Sequence, residues 1–462
     1  MRTPFSSVLC AAAVLAGCMT STDPAMTLAA RDVPPAWEGD VTAPIWPDAN
    51  WWQGFGSAEL NATIAAVQDG NLSLAAAEER LIQADTRVRQ AGSALLPNIG
   101  AGANASGRLN EGAGGSSSSS SFGANANISY ELDFWGRNRA GLNAAEAARR
   151  ATRADRETVA LTAVTGAAKT YFQLLSLRDR LAVARLNLEI ARSVLEVTQS
   201  RVRNGVATPL ELAQQLGAIA SQEAAIPQLE QQELAARAAL AVLTGKPPQG
   251  FEIAARDLSA LQLPPVNPGL PSDFLLRRPD ITGAEAGLAG AHADVAAARA
   301  ALFPSISLTA GGGASSASLV SLISDPSLSL SIGASLAQTI FDGGARTAGI
   351  EAAEAREREI LANYRATVIE AFSEVQIALG NVANLAEQER YQIEQAVQAQ
   401  RAFDIIQARY REGAADFLTV LDGQRTLYQS RDALGQIKLS RLQALINLYR
   451  ALGGGWQAPE GD

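Results

Sequence analysis

Histidine and cysteine are almost absent from this chain: its 462 residues include one histidine, His292, and two cysteines, Cys10 and Cys18. That count excludes zinc sites built from His and Cys, Cys–His nucleophile pairs and disulfide frameworks. Aromatic residues are scarce as well, 5% against 47% hydrophobic, so the core material is ample but aliphatic. No basic run is dense enough to follow a phosphate backbone; Lys and Arg number 38 against 47 Asp and Glu, which rules out nucleic acid as a partner. Acidic residues are spread along helical segments as solvated faces, and His292, within AGAHADV, reads as an ordinary polar helix residue. The Gly-rich GGGASS at 311–316 follows a strand without opening a helix, so it reads as a turn and not as a phosphate cradle. No catalytic constellation emerges, and neither an enzyme nor a cofactor is expected.

A long hydrophobic run is missing too. The apolar stretch VLCAAAVLAGC after Arg2 is too short to span a bilayer, but with its small-residue end it has the order of a signal peptide. LAGC at 15–18 resembles a bacterial lipobox, which implies removal of residues 1–17, Cys10 included, and attachment of lipid to Cys18. Lipoprotein sorting in typical enterobacteria retains proteins with Asp after the cysteine in the inner membrane; here the residue is Met19, which points to the outer membrane.

What the chain does have is a duplication. LLPNIG at 95 and LFPSIS at 302 are 207 residues apart, as are FWGRNR at 134 and FDGGAR at 341, while RNGVATPLEL and REGAADFLTV place Gly205 and Gly413 208 apart. The two repeats are expected at 57–245 and 274–452, after an amino-terminal segment at 18–56 and before a tail at 453–462. A Pro-rich connector at 246–273 lies between them, where a helix cannot continue.

Each repeat has the same order of patterns. Leu60, Val67, Leu74, Leu81 and Val88 recur every seventh residue and predict a helix running to the Gly92–Pro97 break. Two alternating strands follow, expected at about 97–110 and 121–134 in the first repeat and about 304–315 and 328–341 in the second. Phe122, Ala124, Ala126, Ile128, Tyr130, Leu132 and Phe134 share one phase, with Ser, Gly, Asn and acidic residues in the other. The Ser/Gly-rich EGAGGSSSSSS and GGGASSAS read as solvated tips. From about 137 to 203 and from about 345 to 411 no proline occurs, and Ala, Leu, Glu, Gln and Arg predominate, which predicts helices of roughly 100 Å. Leu174, Leu181, Leu188, Leu195 and Val202 make a second seven-residue stripe, the pattern of a left-handed supercoil. Each long helix reverses at Gly205 or Gly413 into another, near 209–244 and 416–452.

A soluble α+β protein would explain the alternation but not helices of this length. The other reading sets the strands in an outer membrane, where a closed barrel satisfies every backbone group, with the apolar phase toward lipid and the polar phase toward water. Four strands cannot close a useful barrel, so several chains are required. Tyr130, Phe134, Trp135, Phe303 and Phe341 sit at strand ends, as an interfacial aromatic belt would.

The blocks WWQGFGSAELNATIAAVQDGNLSLAAAEERLIQA, FLLRRPDITGAEAGLAGAHADVAAARAALFPSISL and YREGAADFLTVLDGQRTLYQSR resemble the TolC/OprM-like outer-membrane efflux lipoproteins of the NodT-type branch. The resemblance covers nearly the whole mature chain. It implies a mixed α/β membrane protein: a homotrimer whose 12-stranded β-barrel, four strands from each chain, continues into a long periplasmic α-helical barrel. It implies a passive exit channel of a tripartite efflux pump, with an inner-membrane RND-type transporter and a periplasmic adaptor as partners and outer-membrane lipid around it. The alternatives are a type I secretion outlet of the same fold and a structural periplasmic spacer without an open lumen. By the same resemblance Leu418 and Asp422 would form a gate, one as an apolar constriction and the other as a ring of carboxylates. Adaptor docking falls on Gly205, Val206 and Ala207 and on Gly413, Ala414 and Ala415, where small residues at the helix reversals allow close approach.

Overall fold

A computed structural model describes residues 46–112, 115–265 and 277–457. The signal segment, Cys18 and part of the Pro-rich connector lie outside the described residues. After a short 3-10 turn at Trp51–Phe55 come α1 (Ala58–Gly70), α2 (Leu72–Ser93), β1 (Asn98–Gly112), β2 (Gly115–Leu132), α3 (Arg137–Arg203) and α4 (Pro209–Leu243). The second repeat supplies α5 (Pro279–Ala300), β3 (Ser305–Ser316), a one-turn helix α6 (Leu319–Ser324), β4 (Ser327–Ala337), α7 (Ala345–Arg411) and α8 (Phe417–Ala451).

The two long proline-free segments are single helices of 67 residues, about 100 Å each. Each begins after a glycine in the left-handed region, Gly136 at φ 77° and Gly344 at φ 90°. A nearby carboxylate takes orphan backbone donors at each start: Asp133 accepts from the N–H of Asn138 and Arg139, and Asp342 from Gly344 and Arg346. The stripe from Leu60 to Val88 is not one helix. It breaks at Asn71, whose carboxamide oxygen accepts from the N–H of Ser73 and Leu74 while its Nδ2 donates to the Leu243 carbonyl. Capping at Asn71 thus starts α2 afresh and ties it to the end of α4.

The four strands form one antiparallel sheet in the order β1-β2-β3-β4. Two sequence expectations need correction here. GGGASS is not a turn but the second half of β3, with Gly311 facing Asn127 and Gly313 facing Asn125 across the sheet. The serine run likewise lies within β2, which starts at Gly115 and pairs back on β1 through Gly112↔Gly115. Strands also end earlier than the alternation suggests, β2 at Leu132 and β4 at Ala337, so Phe134 and Phe341 sit in the loops below them.

The main core lies at the middle of the long helices, where Trp51, Phe55, Leu60 and Ile64 pack with Tyr171, Phe172 and Leu174 of α3, Leu240 of α4 and Ile446 of α8. Trp51 stacks on Tyr449 at 4.8 Å. The second repeat is clasped to the first: α5 packs on both α3 and α7, and α8 on both α7 and α3, whereas α2 and α4, their counterparts, pack on α3.

Candidate functional site: a two-faced sheet and the helical tips

The register puts every large apolar strand residue on one face. Ile128 stands opposite Ile99 and Ala310, Leu308 opposite Tyr130 and Ala334, and Ile306 opposite Leu132 and Leu336. That face is bare: Leu330 is 84% and Ile332 85% exposed, with no protein layer over them. Burial of such a surface is the usual requirement of a sheet, and contiguous exposed leucine and isoleucine mark a surface with a partner. From Leu132 to Phe122 the band spans ten residue steps, about 33 Å along the strand or about 25 Å at barrel tilt, the height of an outer-membrane apolar band.

Above Glu131 the opposite face holds only small uncharged groups over that height. Glycines alternate with amides and hydroxyls, as in Gly100–Asn127–Gly311–Ser331 and Gly102–Asn125–Gly313–Ser329. The polar side chains lie flat across their glycine partners: a Cβ on Gly100 would stand 3.1 Å from Asn127 Oδ1, and one on Gly333 3.1 Å from Thr309 Oγ1. Of the two charged residues that the described strands put on this face, Glu131 is at the foot and pairs with Arg137 at 2.8 Å, and Arg108 lies beyond the band, opposite Ser119.

At the strand feet Trp135 stacks on Phe303 at 4.6 Å, meets Phe134 edge-on at 4.9 Å and donates its Nε1–H to the Pro304 carbonyl. Tyr130 lies a step higher on the apolar face, and Phe341 is 88% exposed below β4. All five mark the helix-side border of the band. Phe122, at its opposite border on the same face, is legible in sequence as part of the apolar phase but not as a border aromatic, because the serine run beside it hides that end of the strand.

At the far end of the helices both reversals use the same device. Gly205 (φ 73°) and Gly413 (φ 76°) close α3 and α7, with Val206 N–H donating to the Arg201 carbonyl and Ala414 N–H to that of Arg409. Gly205, Val206, Gly413 and Ala414 are exposed, while Ala207 and Ala415 are half-buried in the turns. Sequence reading missed what joins the two tips. The Arg201 guanidinium lies over the Tyr410 ring at 4.6 Å and donates to the Tyr410 carbonyl at 2.6 Å, and the Tyr410 hydroxyl donates to Glu211 at 3.4 Å. Glu211 was legible as the partner of Thr208 in a capping box, but its reach to the other repeat was not.

Leu418 and Asp422 are adjacent turns of one face of α8, both exposed, and both line a groove of about 790 Å³ between α4 and α8. Asp422 is not alone there: Arg425 on the next turn pairs with it. Among the described residues no group of three or more His, Cys, Asp or Glu is placed to hold a metal ion.

The family description for outer membrane efflux proteins matches residues 63–246 and 270–454. The chain is 40% identical over 456 residues to the pyoverdine export outer membrane protein OpmQ of Pseudomonas putida, covering 96% of each. It is 31% identical over 462 residues to the cation efflux system protein CusC of Escherichia coli K12, covering 96% of this chain and 98% of that one. Its fold is similar to that of the outer-membrane channel OprN, with a TM-score of 0.84 and 28% identity over 92% of this chain and 98% of that chain. A sheet with a lipid-height apolar face and a small polar one, set on helices of about 100 Å, is what such a channel needs, and the chain belongs to the outer membrane efflux protein family as an outer-membrane exit channel.

Proposed function

We propose that three copies of this chain join their sheets into a twelve-stranded barrel, continue it as a periplasmic helical barrel, and form the exit duct of a tripartite pump with an RND-type transporter and a periplasmic adaptor. The observation that carries this reading is the sheet, with one apolar face, one polar face and unpaired edges at β1 and β4. In a bilayer those edges are tolerable only if they meet, and four strands are too few to meet themselves. The duplication supports the same closure. Where α5 and α8 each pack on a long helix of either repeat, α2 and α4 have α3 and need a second long helix. The α7 of a neighbouring copy fills both places, which makes a head-to-tail ring.

In that ring Leu418 forms the apolar constriction and Asp422 the acidic one. Arg425 tempers its charge, so cation preference is weaker than three bare carboxylates would give. The adaptor meets the exposed tip residues, Gly205, Val206, Gly413 and Ala414, with Ala207 and Ala415 shaping the turns beneath. Tyr130, Phe134, Trp135, Phe303 and Phe341 lie at the periplasmic border of the membrane, and Cys18 carries lipid. The cargo is a polar compound of the kind its relative exports, pyoverdine.

The test is the purified full-length protein in detergent and then in a planar bilayer. Native mass spectrometry is expected to give a trimer, and the trimer to conduct ions, with Leu418→Ala raising basal conductance several-fold. A stable monomer, or no conductance from either form, would overturn the reading.

A further inference from the structure

We infer that α6, the one-turn helix between β3 and β4, is a lipid anchor for the outer rim of the sheet, its apolar side sunk in the outer leaflet where acyl chains meet headgroups. Leu319, Val320 and Ile323 are 59%, 77% and 84% exposed. At i, i+1 and i+4 they share one side of the turn, whereas Ser321 lies on the other. No charged residue occurs between Arg299 and Asp325. Ser318 caps the turn by accepting from the Ser321 N–H at 3.2 Å, so the polar groups of α6 sit at its ends and on its inner side.

Two hydroxyls decide which side of the sheet α6 takes. Ser316 stands opposite Phe122 at the last rung of the β2–β3 pairing, so its side chain points the way Phe122 does, onto the apolar face. Its Oγ donates to Ser321 Oγ at 2.6 Å. Ser120 is two residues from Phe122 along β2 and therefore in the same phase; its Oγ donates to the Ala317 carbonyl at 2.8 Å. A turn directed into the bore would need both hydroxyls on the other face. As they stand, they fasten α6 to the lipid side of the rim with Ser321 inward and Leu319, Val320 and Ile323 away from the sheet. The apolar band continues directly from there: Leu328, at the head of β4, is 80% exposed on the same face, followed by Leu330 and Ile332. Aromatic anchors are unequally shared between the two borders. Of the described strand aromatics only Phe122 reaches the outer one, and the aliphatic side of α6 takes the place of a second belt. An uncharged aliphatic surface that is continuous with the lipid-facing band and lies at its border has one fitting occupant, the bilayer that the band spans.

The inference rests on the barrel reading, and the experiment keeps the two apart. Full-length protein carrying a nitroxide on Val320→Cys or Ile323→Cys is reconstituted in vesicles of phosphatidylethanolamine and phosphatidylglycerol; the unsubstituted protein, labelled in parallel, gives the background of the native cysteines. Collisions with oxygen, which gathers among acyl chains, are compared with those of a water-soluble nickel chelate. Ile332→Cys on the apolar face and Ser331→Cys on the polar face calibrate lipid and bore. Both α6 labels should favour oxygen several-fold, as Ile332→Cys does, while Ser331→Cys favours nickel. Nickel preference at either α6 position, with oxygen preference kept at Ile332→Cys, would overturn the inference and leave the barrel standing. Exclusion of both quenchers from α6 would hand this face to a neighbouring copy and overturn it equally. Nickel preference at Ile332→Cys as well would sink anchor and barrel together.

Discussion

At the scale of single residues, Arg278 is the charged residue that the described chain buries. It is 8% exposed; its guanidinium binds Asp280 at 2.6 Å, Glu374 at 2.8 Å and the Ala451 carbonyl at 3.1 Å, so it fastens the start of α5 to α7 and to the last turn of α8. Burial pushes the Asp280 carboxyl up, but the Arg278 guanidinium and the backbone N–H of Ile281 outweigh that and hold it below the usual carboxylate range. A lowered pKa stabilises the fold above the unfolded value, about 4, and the contribution fades as pH falls from there through the folded value. Arg278→Met should cost about 3 kcal/mol, the low end for breaking a buried pair because both carboxylates keep some water. The check is a lower thermal midpoint in detergent at pH 7, with the gap to wild type narrowing below about pH 4. RRPDI lies within one of the blocks that carry the family resemblance, but its three-helix clasp was not legible there, since Glu374 and Ala451 lie far away in sequence. At the tips, Arg201→Ala removes both a cation–π contact and a carbonyl hydrogen bond, and hydrogen exchange at residues 409–416 should speed up roughly tenfold. Val206→Ser, at an exposed tip position, should leave it unchanged.

At the scale of elements, α5 and α3 touch along small residues. A Cβ on Gly283 would stand 3.2 Å from Ala154 Cβ and one on Gly290 3.5 Å from Ala147 Cβ, a seam with a step of seven on both helices. Gly287, between them, faces open space. Gly283→Leu should therefore prise α5 off α3 and lower the yield of folded protein in membranes. Gly287→Ala should be neutral or stabilise by up to about 1 kcal/mol through helix propensity, read as a raised thermal midpoint. The leucine stripes drew attention in the sequence while this seam did not, because a hydrophobic count gives alanine and glycine little weight. The helix reversals could be read from Gly205 and Gly413, where a positive φ leaves few alternatives to glycine; Gly136 and Gly344 have the same conformation before α3 and α7. The strands were harder. Glycine and serine are turn residues by habit, and only the opposite strand, with Asn125 and Asn127 lying over Gly102 and Gly100, shows why they belong in this sheet.

At the scale of the whole molecule, the apolar face of the sheet holds the chain in the bilayer over its full height. On the proposed reading, lipid on Cys18 is a second attachment of smaller weight, acting in sorting and assembly. Cys18→Ser should abolish acyl labelling and reduce the amount of protein reaching the outer membrane, while the molecules that arrive conduct like wild type; a mature form of unmodified mass in the wild type would remove the anchor from the account. The sheet also has an outer reach. β3 pairs with β2 only as far as Ser316↔Phe122, yet β1 and β2 stay paired for the next six rungs, from Ser106↔Ser121 to Glu111↔Ser116, and meet at Gly112↔Gly115. That serine-rich ribbon, which also carries Arg108, Leu109 and Glu111, stands about 20 Å beyond the apolar band, on the side away from the helices. Its two strands turn back on each other, so residues added there in pairs, one to each strand, shift no rung within the membrane. The ribbon is accordingly the part of the chain whose length is free to change, and the place to write a new epitope onto the cell surface without disturbing the bore beneath.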